Sequence, residues 1–160
     1  MFSNKELRSF WPAVWIGGLV AGTVDVGLAC AIYRTTPLII LQAIAGGLLG
    51  MSAFERGWSS GALGLALQWG MSLLIACCGV LASNQSAFLA RRWVTAGCLY
   101  GVITFIVMDY IVVPLSASGT QPHFSAPWLV KNMLAMLLFG LIISGVAHRY
   151  ARRAQRRVEP

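Results

Sequence analysis

Four stretches of the chain are apolar almost without interruption, at residues 13–33, 61–82, 93–115 and 128–147. Each has about the 20 residues that a helix needs to cross about 30 Å of hydrocarbon. A fifth stretch, from Pro37 to about Phe54, is uncharged but holds three glycines and a glutamine, and its dense apolar part ends near Gly50. Its length predicts a short helix over 37–50 that is re-entrant or lies in the interface, with Thr36 as N-cap and Pro37 as the first helical residue. The pattern therefore predicts an all-α integral membrane helical bundle: four transmembrane helices and one short helix within residues 1–148, followed by a basic tail over 149–160.

Composition agrees with the membrane class, since the 160 residues are 58% hydrophobic and only 11% charged. Charge changes the picture by giving it a direction. Loops rich in Lys and Arg stay on the cytoplasmic side. With four crossings and a cytoplasmic N-terminus, nine of the twelve cations fall inside: Lys5, Arg8, Arg91, Arg92 and the arginines between 149 and 157. Arg34, Arg56 and Lys131 stay outside. Five crossings from the same start would export the arginine tail and leave only four cations inside. A five-crossing chain with its N-terminus outside scores nearly as well, but it must translocate Lys5 and Arg8 ahead of the first helix. The aromatic residues fit four crossings, with Trp11, Trp93 and Tyr150 at the inner boundary and Tyr33, Trp58 and Trp128 at the outer. Ala29-Cys30-Ala31 has the form of a signal cleavage site, but Asp25 interrupts the would-be apolar core before it.

Five acids punctuate the chain, and two of them, Asp25 and Asp109, lie within spans. In the four-crossing arrangement Asp25, Gln68, Asp109 and Asn132 share one level, about 6–12 Å below the outer boundary. Each of three polar groups rides on a stripe of small residues at three- and four-residue steps: Gly18-Gly22-Asp25, Gly61-Gly64-Gln68-Ser72, and Asn132-Met136-Gly140-Ser144. Small residues at this spacing let helices approach closely in lipid. Asp109 fits less well, lying about 80° round from Gly101. Pro114 cannot donate to the Tyr110 carbonyl, which puts an acceptor nearby. Neutral amides cross-link helices without further purpose, whereas an acid at depth costs about 2.5 kcal/mol or more and is a functional candidate by default. Such an acid is carried neutral unless Arg34, Arg56 or Lys131 reaches it.

The candidate ligand or ion pocket is therefore Asp25, Gln42, Gln68, Asp109 and Asn132. A chain this small needs a second copy to build a pathway, using its glycine faces. The arginines Arg149, Arg152, Arg153, Arg156 and Arg157 extend the last helix as a basic tail; beside an apolar span, they point to anionic lipid headgroups rather than nucleic acid. Cys77, Cys78, Cys98 and His148 share the inner boundary, but adjacent cysteines diverge by about 100° on a helix, so no metal or other cofactor is expected. His123 reads as a solvated loop residue. No hydrolase elbow, P-loop, dinucleotide fingerprint or zincin helix is present, so an enzyme ranks third behind a carrier or channel-like protein and an accessory subunit.

The stretches GGLVAGTVDVG (17–27), ILQAIAGGLLG (40–50), AFERGWSSGALGLALQW (53–69) and YGVITFIVMDYIVVPLSA (100–117) together resemble a family of short, uncharacterised proteobacterial inner-membrane proteins. The resemblance implies a polytopic protein of the cytoplasmic membrane and supplies no activity, cofactor or site. In that family an asparagine often stands where this chain has Asp109, which makes Asp25 the stronger single candidate.

Overall fold

A computed structural model describes residues 4–85, 92–117 and 125–156. The described residues form five helices. These are α1 (Asn4–Tyr33), α2 (Pro37–Leu49), α3 (Trp58–Gln85), α4 (Trp93–Val107) and α5 (Ala126–Arg156). A 3-10 turn, Gly50–Phe54, prolongs α2, and a π-helical turn, Met108–Val112, carries α4 on to a final turn at Val113–Leu115. Five segments are long and apolar enough to cross a membrane: Phe10–Tyr33, Pro37–Phe54, Trp58–Ser83, Trp93–Leu115 and Ala126–Arg152. The chain is thus an all-α bundle of membrane-spanning type. Lys5, Arg8, Arg91, His123 and Arg157 fall outside the described residues or have undescribed side chains, as do Arg153 and Arg156 beyond their helical backbone.

Local chemistry sets the element boundaries. Thr36 is extended (φ −77°, ψ 152°) and Pro37 opens α2, although no side-chain bond caps the turn. Gly50 (φ 63°) ends α2 and Gly57 (φ 59°) precedes α3; both conformations suit a residue without Cβ. Arg34 holds the same left-handed region (φ 50°) after α1, where the Thr35 amide donates back to the Cys30 carbonyl at 3.2 Å.

The order of contacts gives the topology. Gly18 of α1 lies on Leu73 of α3, while Asp25 meets Gln68, so the two helices are antiparallel. Gly17 meets Val146 and Tyr33 meets Trp128, so α1 and α5 are antiparallel too. α4 runs against α5, from Gly97 on Leu141 to Asp109 on Asn132. The four long helices therefore alternate in direction. α2 behaves differently. It meets Gly57, Gly61 and Gly64 at the start of α3, and the Gly47 carbonyl accepts from Ala117 just beyond α4. All these contacts lie at the end of the bundle where α1 finishes and α3 begins.

At the opposite end sits the apolar core, formed by Phe10, Ala13, Val14, Ala21, Ala76, Val80, Phe139, Ile143 and Ala147 from α1, α3 and α5. Outside it, Ile16, Val20, Leu74, Leu99, Ile103 and Leu134 point away from the bundle as a lipid-facing belt. With lipid as apolar as the core, close packing rather than hydrophobicity distinguishes the folded arrangement. Glycines supply that closeness. A Cβ on Gly140 would fall on the Gly97 carbonyl and the Gly101 backbone, and one on Gly64 on the Leu41 carbonyl. The small-residue stripes read from the sequence thus face partners within the same chain, and a second copy would have to meet other faces.

Candidate functional site

The candidate site is assembled from one polar side chain on each long helix. Asp25 of α1 lies one turn beyond Gly22, whose flank is filled by Ser72 of α3. That register puts Gln68, one turn earlier on α3, beside the acid. The Gln68 Nε2 donates to Asp25 Oδ2 at 2.9 Å and to the Gly22 carbonyl at 3.3 Å. One amide thus holds both the carboxyl and the backbone of α1. On the neighbouring flank the Thr23 hydroxyl donates to the Leu19 carbonyl at 2.7 Å and accepts from Trp69 Nε1 at 3.4 Å.

Asp109 stands where α4 gives way to the π-helical turn. By helical register it lies at the edge of the face marked by Gly97 and Gly101. Pro114 has no N–H, and its ring crowds the carbonyl of Tyr110; over the preceding turn the chain bonds i to i−5, with the Val113 amide donating to Met108. That turn opens only at Met108, so Asp109 keeps the direction set by α4, one four-residue step beyond the buried Phe105, and it is 8% exposed. The Asn132 Nδ2 of α5 donates to its Oδ1 at 3.4 Å.

Four of the five predicted pocket residues are therefore paired across helices, two and two. The partner of each acid is an amide; Arg34, Arg56 and Lys131 are exposed and make no contact with either carboxyl. Gln42 is placed elsewhere. It is buried, and its Nε2 donates to the Gly57 carbonyl at 3.1 Å, tying α2 to the turn that opens α3. Among the described residues every buried side-chain nitrogen and oxygen has a hydrogen-bond partner.

Sequence reasoning missed several polar contacts. The Tyr100 hydroxyl donates to the Ile75 carbonyl, joining α4 to α3, and Trp128 Nε1 donates to the Tyr33 hydroxyl at 2.7 Å, joining the ends of α5 and α1. For the second pair a signal existed, since both aromatics were placed at one boundary. The Ser60 hydroxyl, which donates to the Ala53 carbonyl and stitches the α2–α3 turn, gave no such signal.

At the other end Trp93 stacks on His148 with ring centroids 6.1 Å apart, and Arg149 and Arg152 are exposed on α5, which continues as helix to Arg156. Among the described residues no group of three or more His, Cys, Asp or Glu side chains is placed to hold a metal ion. No family model, curated protein or solved structure matches this chain.

Proposed function

We propose that this chain is a small carrier or channel-like protein of the bacterial cytoplasmic membrane, with Asp25 and Asp109 as a protonatable or cation-binding pair in a site that faces outward. The observation that carries the reading is that two acids from different helices are held by neutral amides rather than by cations. An ion pair would fix the charge and need no further ligand, whereas an amide only orients the carboxyl and leaves its charge to be supplied by a proton or a cation. The π-helical turn under Asp109 supports it, because such bulges recur at functional positions. The chain's resemblance to proteobacterial inner-membrane proteins supports the cytoplasmic membrane, and its cation count supports four crossings with both termini cytoplasmic. The confinement of α2 to one end of the bundle agrees with that arrangement.

The test is an ion-flux measurement on the full-length protein in liposomes carrying an imposed proton or Na+ gradient. Wild type should dissipate one of the gradients, and Asp25→Asn should abolish this while keeping helicity and monodispersity. A wild-type protein that moves neither ion, or an Asp25→Asn variant with undiminished flux, ends the reading. A second reading rests on the full hydrogen-bonding of the buried polar side chains among the described residues: the same groups lock the helices of an accessory subunit. There, Asp25→Asn changes stability alone. Fusing alkaline phosphatase and green fluorescent protein in turn after the C-terminus and near Gly57 tests the topology; phosphatase activity at the C-terminus would reverse it.

A further inference from the structure

The cationic end of α5 has a geometry that neither acid explains. From Trp128 to His148 the helix rises about 30 Å, the thickness of the hydrocarbon, so Arg149 and the residues after it stand in the headgroup layer. There is no break at this boundary: α5 is helical through Arg156. The register of an unbroken helix places Arg149, Arg152, Arg153 and Arg156 within a sector of about 100°. That sector lies about 130° from the line of Phe139, Ile143 and Ala147, which faces the core. Arg149 and Arg152 are exposed accordingly, turned away from the core.

One flank of this sector has a wall. Trp93, the first residue of α4, lies against Gly145 and stacks on His148. Arg152 falls on the same flank of α5, one turn past His148, and Arg92, also exposed, precedes the indole. Two helices, a flat aromatic pair at interface depth and cations above it therefore border one crevice that opens sideways to lipid. Below it, Val94 and Leu138 are exposed and apolar. A ligand fitting both levels has a phosphate above and acyl chains below.

We infer that the crevice between the start of α4 and the end of α5 binds the headgroup of an anionic phospholipid, with Arg149 and Arg152 contacting the phosphate and the Trp93–His148 pair lining the glycerol level. Charge complementarity names the occupant, and the sideways opening distinguishes it from nucleic acid or an acidic peptide, which would approach from the aqueous end. The site is remote from Asp25 and Asp109 and does not depend on their role.

The test is native mass spectrometry of the full-length protein in detergent, titrated with phosphatidylglycerol or phosphatidylcholine. Wild type should retain phosphatidylglycerol preferentially. The Arg149→Gln/Arg152→Gln variant should lose affinity at about fivefold per cation, whereas Arg34→Gln/Arg56→Gln at the other end should match wild type. Inorganic phosphate at millimolar concentration should not displace the lipid, because it lacks the chains. Circular dichroism and a lysine variant, Arg149→Lys/Arg152→Lys, guard against misfolding, and the lysine pair should restore most of the retention. Equal retention of both lipids, unchanged phosphatidylglycerol binding in the glutamine variant, displacement by phosphate alone, or a charge-dependent complex with polyglutamate but not with lipid would each overturn the inference.

Discussion

The two halves of the bundle solve the same problem with different chemistry. At the end carrying Phe10 and Ala147, α1, α3 and α5 meet through side chains without a polar atom. At the end carrying Tyr33 and Trp58, the long helices meet through carboxyl, amide and phenol groups, and α2 is inserted beside them. In water the first half would be called the stabilising one. In lipid the distinction weakens, because a leucine gains little by leaving acyl chains for a protein core. Apolar packing here fixes distances between helices, and the polar half inherits those distances. The glycine contacts belong to both halves and set the scale.

The largest effect should come from violating that scale. In Gly140→Val the new Cβ would sit 2.6 Å from the Gly101 amide nitrogen and against the Gly97 carbonyl, all backbone that cannot rotate away. A loss of at least about 3 kcal/mol is expected, seen as failure to recover a monodisperse, helical protein. A folded Gly140→Val protein of normal stability would show that α4 and α5 are not in close contact. Next comes Ile143→Ala in the apolar half. Ile143 is 1% exposed, and its removal leaves a cavity that lipid cannot fill. The expected cost is about 2 kcal/mol, at the low end of the range for core truncations in water because the transfer contribution is small here. Unfolding by sodium dodecyl sulfate titration measures both.

How much of this was legible in the residues follows the same division. The all-α membrane class and the glycine stripes were, because composition and three- and four-residue spacing report directly on which face touches a neighbour. Asp25 with Gln68 followed from that register, since both polar groups ride on stripes that meet. Asp109 with Asn132 followed only in level. Asp109 stands one four-residue step past Phe105, at the edge of the face that Gly97 and Gly101 mark, where spacing from the glycines alone does not fix a partner. Gln42 entered the pocket without a stripe or a level of its own. The Gly57 carbonyl takes its amide instead, in a turn whose geometry the spacing of apolar residues does not report.

A smaller effect, with the opposite sign, is expected at the polar end. Arg34 occupies a left-handed backbone conformation that costs a side-chain-bearing residue about 1 kcal/mol, while the Thr35 amide completes the cap. Arg34→Gly should therefore stabilise the chain by about 1 kcal/mol in the same titration. A destabilised glycine variant would mean that the guanidinium itself holds the α1–α2 junction, and the polar half would then contain a cation contact of its own.

The smallest effects fall on the amides and make the comparison sharpest. Gln68→Leu and Asn132→Leu each remove one hydrogen bond to an acid across a helix interface, at about 0.6 kcal/mol apiece by the average for such bonds in membranes. Each also leaves a carboxyl without its neutral partner, so the paired acid replacement separates the two contributions. In a cycle of Gln68→Leu with Asp25→Leu, each change removes the bond, and coupling near the single-bond value means that the pair only ties α1 to α3. A second cycle joins Gln68→Leu to Asn132→Leu, across the two separate pairs. Additive costs there would make the two pairs independent struts. Coupling above about 0.5 kcal/mol would show one four-membered unit, the arrangement an ion or proton site requires and a set of independent struts does not.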